Sequence, residues 1–169
     1  TWERLLAGSS GITPIHLFNA DGLPVAGAGQ VSRGDWEEIR GRFPDAAKTE
    51  GERRTLFALA AAESALEDSK LLQDAFDPWR SGLSLAAGVG LCRFEDISRW
   101  TRADGRFDLS AFAQQLDQIR QESPIRNPAD RPNRLIAQRF RLRGPSLTMT
   151  SACAAATQAI GMAFQRIRR

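Results

Sequence analysis

Two short apolar runs set among alanine-rich helical patterns constrain the fold of this chain more than any other feature. Residues 83–92, Leu83-Ser-Leu-Ala-Ala-Gly-Val-Gly-Leu-Cys92, are compactly apolar and end in glycines, the pattern of an interior parallel strand leading into a tight loop. Gly144-Pro145 turns the chain into a second strand over residues 146–150. Residues 53–71 carry Leu56, Leu59, Leu66 and many alanines among few polar positions, which predicts a helix buried on most sides. Residues 154–169 place Ala156, Ala159, Ile160, Ala163 and Ile167 at helical spacing. Gly161 interrupts that pattern at a cost of about 1 kcal/mol relative to alanine, a cost that makes sense where another backbone packs closely. Helices alternating with short apolar strands point to an α/β layered fold.

The remaining segments are more polar. Trp2, Leu5 and Leu6 read as the last turns of a helix that begins before residue 1 and that Gly8 stops. Residues 12–43 mix short apolar pieces with Gly and Pro, which predicts irregular structure with one short strand and a helical turn around Asp35 to Ile39. A helix is expected over residues 110–121, with Phe112, Leu116 and Ile119 on one face. Pro124, Pro128 and Pro132 then break the chain, and Asn133 is a plausible N-cap for a short helix through Phe140.

With 169 residues, 42% hydrophobic and 25% charged, the composition is that of one soluble globular domain. The longest apolar stretches fall short of the ~20 residues a membrane-spanning helix needs, and no secretory signal opens the chain. Cys92 and Cys153 form neither a disulfide framework nor a metal-binding pair, so a reducing cytoplasm is the expected setting. All the basic residues except Lys48 and Lys70 are arginine, spread along the chain with no nucleic-acid-binding motif. The one histidine, His16, allows no cluster of histidine metal ligands; a surface or structural role is expected for it, and no metal site.

Cys153 carries the chemistry. It stands where the second strand turns into the last helix, so its sulfur would sit over backbone N–H groups and the positive end of the helix dipole, which favours thiolate over thiol. One turn would then supply a nucleophile and part of an oxyanion hole, with small neighbours leaving room for a thioester. Without further context, a buried inert cysteine is the commoner case.

The surrounding pattern, Gly144-Pro145-Ser146 followed by Thr148-Met-Thr-Ser-Ala-Cys153-Ala-Ala-Ala-Thr-Gln-Ala-Ile-Gly161, resembles the nucleophile signature of β-ketoacyl-acyl carrier protein synthases. Trp2, Leu5-Leu-Ala-Gly8, Ser10-Gly-Ile12, Ile15 and Phe18 resemble the opening helix and loop of that family. The alanine-rich helix near Leu59 and the Gly88-Val-Gly90 strand end fall between, in family order. The resemblance implies a partial thiolase-like layered α/β fold, part of the first of two similar halves, with residues 1–169 as an amino-terminal synthase domain incomplete at both ends. It implies decarboxylative Claisen condensation of an acyl thioester on Cys153 with malonyl-carrier protein, in fatty acid or polyketide synthesis. Gly88 and Val89 align with the acyl-pocket wall, although an ordinary glycine-rich strand end is an equal alternative. No cofactor is implied beyond the phosphopantetheine of the acyl carrier protein, and a homodimer or ketosynthase-like heterodimer is expected.

Some family features are missing. Family members have a strand before the opening helix and a second half that supplies two histidines, so condensing activity is not expected of this chain alone. Ala155-Ala156 stands where serine and glycine are common. The alternatives are a non-catalytic ketosynthase-like partner subunit, which would generally lack the cysteine, and an unrelated binding module. Arg139, Arg141 and Arg143 would suit an acidic carrier protein or simply form a solvated face.

Overall fold

The computed structural model describes residues 2–71, 76–89, 98–115 and 128–169. They fall into two compact units, Thr1–Arg42 and Phe43–Arg169. In the first, helix α1 (Trp2–Leu6) ends before Gly8, whose φ of +64° is a conformation that glycine adopts without strain. Strand β1 (Ile12–Pro14) pairs antiparallel with β2 (Gly27–Gly29), so this segment holds two short strands where one was expected. The Gln30 side chain fastens the pair: its Nε2 donates to Thr13 Oγ1 and the Pro14 carbonyl, and its Oε1 accepts from the His16 amide at 3.1 Å. Helix α2 (Arg33–Arg42) is longer than the expected turn. It starts at Ser32, whose Oγ accepts from the Asp35 amide at 3.1 Å and donates to the Asp35 carboxylate at 2.6 Å.

The second unit contains α3 (Pro44–Thr49), α4 (Arg53–Ser69), β3 (Leu83–Ala86), α5 (Leu109–Gln114), α6 (Arg131–Arg139), β4 (Ser146–Met149) and α7 (Ala155–Ile167). Strands β3 and β4 are parallel, in register from Leu83 opposite Ser146 to Ala86 opposite Met149. Both α6 and α7 touch the two strands, and α4 lies against α6. The buried apolar residues among those described include Phe43, Leu56, Leu59, Trp100, Pro132, Ile136, Ala155 and Ala159.

The entry to the parallel pair depends on two glycines. A Cβ on Gly82 would collide with the Pro145 carbonyl oxygen, and one on Gly144 would stand 2.8 Å from Ser81 O. That closeness lets the Leu83 amide donate to Pro145 O at 2.9 Å and the Gly144 amide to Ser81 O at 3.0 Å. A buried ion pair ties α3 to α6: the Arg131 fork meets Glu50 at 2.9 and 2.6 Å, with only 2% of the Glu50 side chain exposed. The Glu50 hydrogen bond pushes the Arg131 pKa further up from its ordinary value.

Several expectations need correction. Helix α4 is buried along Thr55, Leu56 and Leu59 only, and its second half is largely exposed. Asn133 is not an N-cap: Asp130 holds that place, Pro132 sits in the first helical turn, and Asn133 is buried inside the helix. Its Nδ2 donates to Leu147 O at 2.8 Å and its Oδ1 accepts from Ser146 Oγ, so it fastens α6 to β4 instead. On α7 the expected apolar stripe divides: Ala159 is buried and Ala163 half-buried, while Ala156, Ile160 and Ile167 are exposed. Nothing among the described residues comes within 4 Å of a Cβ built on Gly161, so close backbone packing is not found there. Of the helix expected over residues 110–121, Leu109–Gln114 is observed, while Leu116 and Ile119 lie outside the described residues, as do Pro124, Gly90 and Cys92. No helix among the described residues is long and apolar enough to cross a membrane.

Candidate active site

Strand β4 delivers the chain to a corner. After Met149, a 3-10 turn over Ala152–Ala154 precedes α7, with the Ala154 amide donating to Ser151 O at 3.1 Å and the Ala155 amide to Ala152 O. Ala152 has φ +48°, a left-handed conformation that costs a non-glycine residue about 1 kcal/mol or more. Such strain persists only where the surroundings enforce it. Here the Ser151 hydroxyl donates to the Gln158 side-chain carbonyl, tying the corner to the second turn of α7. Buried Ala155 and Ala159 anchor that helix, and the Ser84 hydroxyl donates to Ala159 O at 2.8 Å.

Cys153 occupies the middle of this turn as an exposed free thiol. The strand-to-helix placement expected from the sequence is therefore found, and the thiol is exposed. Ala152, Ala154 and Ala156 beside it are exposed and small, so a planar thioester has room to approach the sulfur.

Gly88 and Val89 follow β3 after Ala87. The Ala87 amide still donates to Met149 O at 2.9 Å, after which the chain turns away. Because β3 and β4 are parallel, Gly88-Val89 and the Cys153 corner leave the same end of the sheet, the end at which open parallel sheets bind ligands. Val89 is 65% exposed. Arg54, from the first turn of α4, donates from one Nη1 to both Gly88 O (2.9 Å) and Val89 O (3.0 Å), and its Nε forms an ion pair with Glu52. Sequence reading did not single out Arg54, because an arginine among many arginines carries no periodic signal.

The other residues considered fall elsewhere. His16 lies in the first unit, half-buried, with its Nε2 unpartnered among the described residues. Arg139 ends α6, meeting Glu63 at 3.3 Å and lying over the Phe43 ring, while Arg143 lies over the exposed Trp79 ring at 5.3 Å. Arg141, with φ +55°, belongs to the turn between them, so the three do not share one strand-like face. A cavity of about 600 Å³ lined by Leu83, Leu147, Met162, Arg166 and Ile167 lies at the beginnings of the strands, away from Cys153. No group of three potential metal ligands occurs among the described residues.

Comparison with known proteins gives this corner its context. A family profile described as "Beta-ketoacyl synthase, N-terminal domain" matches residues 1–169. The chain is 29% identical over 168 residues to a polyketide beta-ketoacyl synthase 1 of Streptomyces cyaneus, covering 98% of this chain and 38% of that protein. It is 26% identical over 166 residues to a 3-oxoacyl-[acyl-carrier-protein] synthase 2 of Coxiella burnetii, covering 98% of the chain and 37% of that protein. Over 89 residues it is 37% identical to the tetracenomycin polyketide synthase ketoacyl synthase beta subunit of Streptomyces glaucescens, 53% of the chain and 21% of that protein. The chain thus spans well under half the length of these relatives. Matched from its first residue to its last, the chain belongs to the beta-ketoacyl synthase family, over its N-terminal domain.

Proposed function

We propose that this chain carries the nucleophile of a condensing enzyme that forms 3-oxoacyl-carrier protein. The exposed thiol of Cys153 on a strained strand-to-helix corner is the observation that carries the reading. The thiolate attacks the carbonyl of an acyl thioester, and the negative charge moves to the carbonyl oxygen. The Cys153 backbone N–H, in the 3-10 turn that precedes α7, donates to that oxyanion. Collapse of the tetrahedral intermediate expels the phosphopantetheine thiolate and leaves the acyl group on sulfur. Malonyl-carrier protein then loses CO2, and its carbanion attacks the acyl-cysteine carbonyl, forming the new C–C bond and returning the electron pair to the sulfur of Cys153.

Gly88 and Val89 serve as the wall of the acyl pocket, since they leave the sheet beside the corner with an apolar side chain presented outward. A thiolase-like layered fold suits the parallel β3–β4 pair, because parallel strands are found with both faces covered and with further strands beside them. The acyl carrier protein is the partner that both donates and receives the chain. The enzyme acts as a dimer in the cytoplasm. The names of the relatives, drawn from fatty acid and polyketide synthesis, support the condensing role.

The test uses the full gene product that carries this chain, with hexanoyl- and malonyl-carrier protein as substrates. Cys153→Ala should reduce 3-oxoacyl product by more than about a thousandfold. Product formation by that variant at the wild-type rate refutes the reading. The 169-residue chain alone should form none.

A further inference from the structure

We propose that Arg54 is a positioning residue: its guanidinium, braced by Glu52, sets the conformation of Gly88-Val89 and thereby the acyl chain length accepted at Cys153. The inference rests on the reading of Cys153 as the acylated thiol and of Gly88-Val89 as its pocket wall.

Successive carbonyls of an extended strand point to opposite sides. Those of Gly88 and Val89 instead converge on the same nitrogen, Arg54 Nη1, at 2.9 and 3.0 Å. Two consecutive carbonyls meeting one donor require the chain to leave extended geometry at that point, so the contact marks where β3 gives way to the loop. The guanidinium lies close over Gly88: a Cβ there would be 3.8 Å from Nη1. Its other side faces Glu52, and the pair is largely withdrawn from water, with side-chain exposures of 24% for Arg54 and 15% for Glu52. Glu52 precedes α4 at the N-cap position yet makes no capping bond with its side chain. Its carboxylate forms an ion pair with Arg54 Nε instead.

The consequence is a link between α4 and the active-site end of the sheet. Val89 is the exposed apolar side chain at this point, and Arg54 holds the carbonyl of the same residue. A lysine retains the charge and can reach one carbonyl or both, but lacks the Nε that meets Glu52. A methionine retains the length and loses every donor.

The experiment measures acyl transfer onto Cys153 from hexanoyl- and dodecanoyl-pantetheine thioesters, read by peptide mass spectrometry, in the full gene product and its R54M, R54K and E52Q variants. In R54M the ratio of the two rates should change about tenfold, the equivalent of losing one charge-assisted hydrogen bond. R54K should remain within about threefold of wild type, and E52Q should fall between. Alkylation of Cys153 by iodoacetamide should be the same in all four proteins, which separates a moved wall from a damaged nucleophile. An unchanged ratio in R54M overturns the proposal; if R54M does not fold, an unchanged ratio in both R54K and E52Q does so. Amide hydrogen exchange over residues 83–89 decides the clamp even if Cys153 accepts no acyl group: faster exchange in E52Q and R54K supports it, and identical exchange overturns it.

Discussion

Replacing Gly144 by alanine tests how the parallel pair is built. The new Cβ would stand 2.8 Å from Ser81 O, 2.9 Å from Ser81 C and 3.1 Å from Gly82 N. All three are backbone atoms, so no side chain can rotate away, and the strand entries must separate by roughly half an ångström to reach ordinary contact. Overpacking of this kind costs about 1–3 kcal/mol. Separation also weakens the bonds from Gly144 N to Ser81 O and from Leu83 N to Pro145 O, each contributing about 1 kcal/mol. A loss of about 3 kcal/mol is therefore expected. Urea unfolding of wild type and G144A should show a lower midpoint with an unchanged slope. In thermal unfolding the loss should lower Tm by about 10 °C for a chain of this size. Because β4 leads into the corner, Cys153 alkylation should slow as well. A stability loss below about 0.5 kcal/mol would refute the steric reasoning.

The same substitution at Gly161 should have the opposite sign in this chain: with nothing within 4 Å among the described residues, G161A should gain about 1 kcal/mol of helix propensity. A loss in urea unfolding would mean that backbone packs there in solution. Glu50→Gln should cost about 2 kcal/mol, less than for a fully buried pair because a third of the Arg131 side chain remains exposed. An E50Q/R131M cycle should show strong coupling, and additive losses would contradict it. Asp108 is held down to about 2, first by its hydrogen bond from Arg102 and then by the Ala111 amide at 2.9 Å. A lowered carboxylate pKa stabilises the fold above the ordinary value near 4 and loses that contribution as pH falls through about 2. D108N should therefore be less stable than wild type at neutral pH, and the difference should close between pH 4 and pH 2; a gap independent of pH would count against this.

Much of this was legible in the sequence because its signals are local. Gly8, the α4 pattern, the Gly144-Pro145 turn and the placement of Cys153 each follow from backbone preferences over a few residues. The failures come from contacts distant in sequence. Asn133 has the composition of a cap, yet its amide is used by Leu147 and Ser146 on another element. The β1–β2 pair depends on Gln30 reaching Thr13 and Pro14, which no alternation of apolar residues reveals. Periodicity on α7 marked Ile160 and Ile167 as buried, but it cannot say which side of a helix has a partner. At the site, the position of Cys153 between strand and helix was readable from the sequence, whereas the strained Ala152 and the Arg54 contact exist only once the strands are paired.

If the strand-to-helix corner activates its sulfur, Cys153 is the more reactive of the chain's two thiols. Peptide-resolved kinetics of iodoacetamide alkylation at neutral pH compares it with the chain's other cysteine, Cys92. Labelling of Cys153 at least about tenfold faster than Cys92 is the predicted result. Equal rates, or faster labelling of Cys92, would mean that the corner does not activate Cys153.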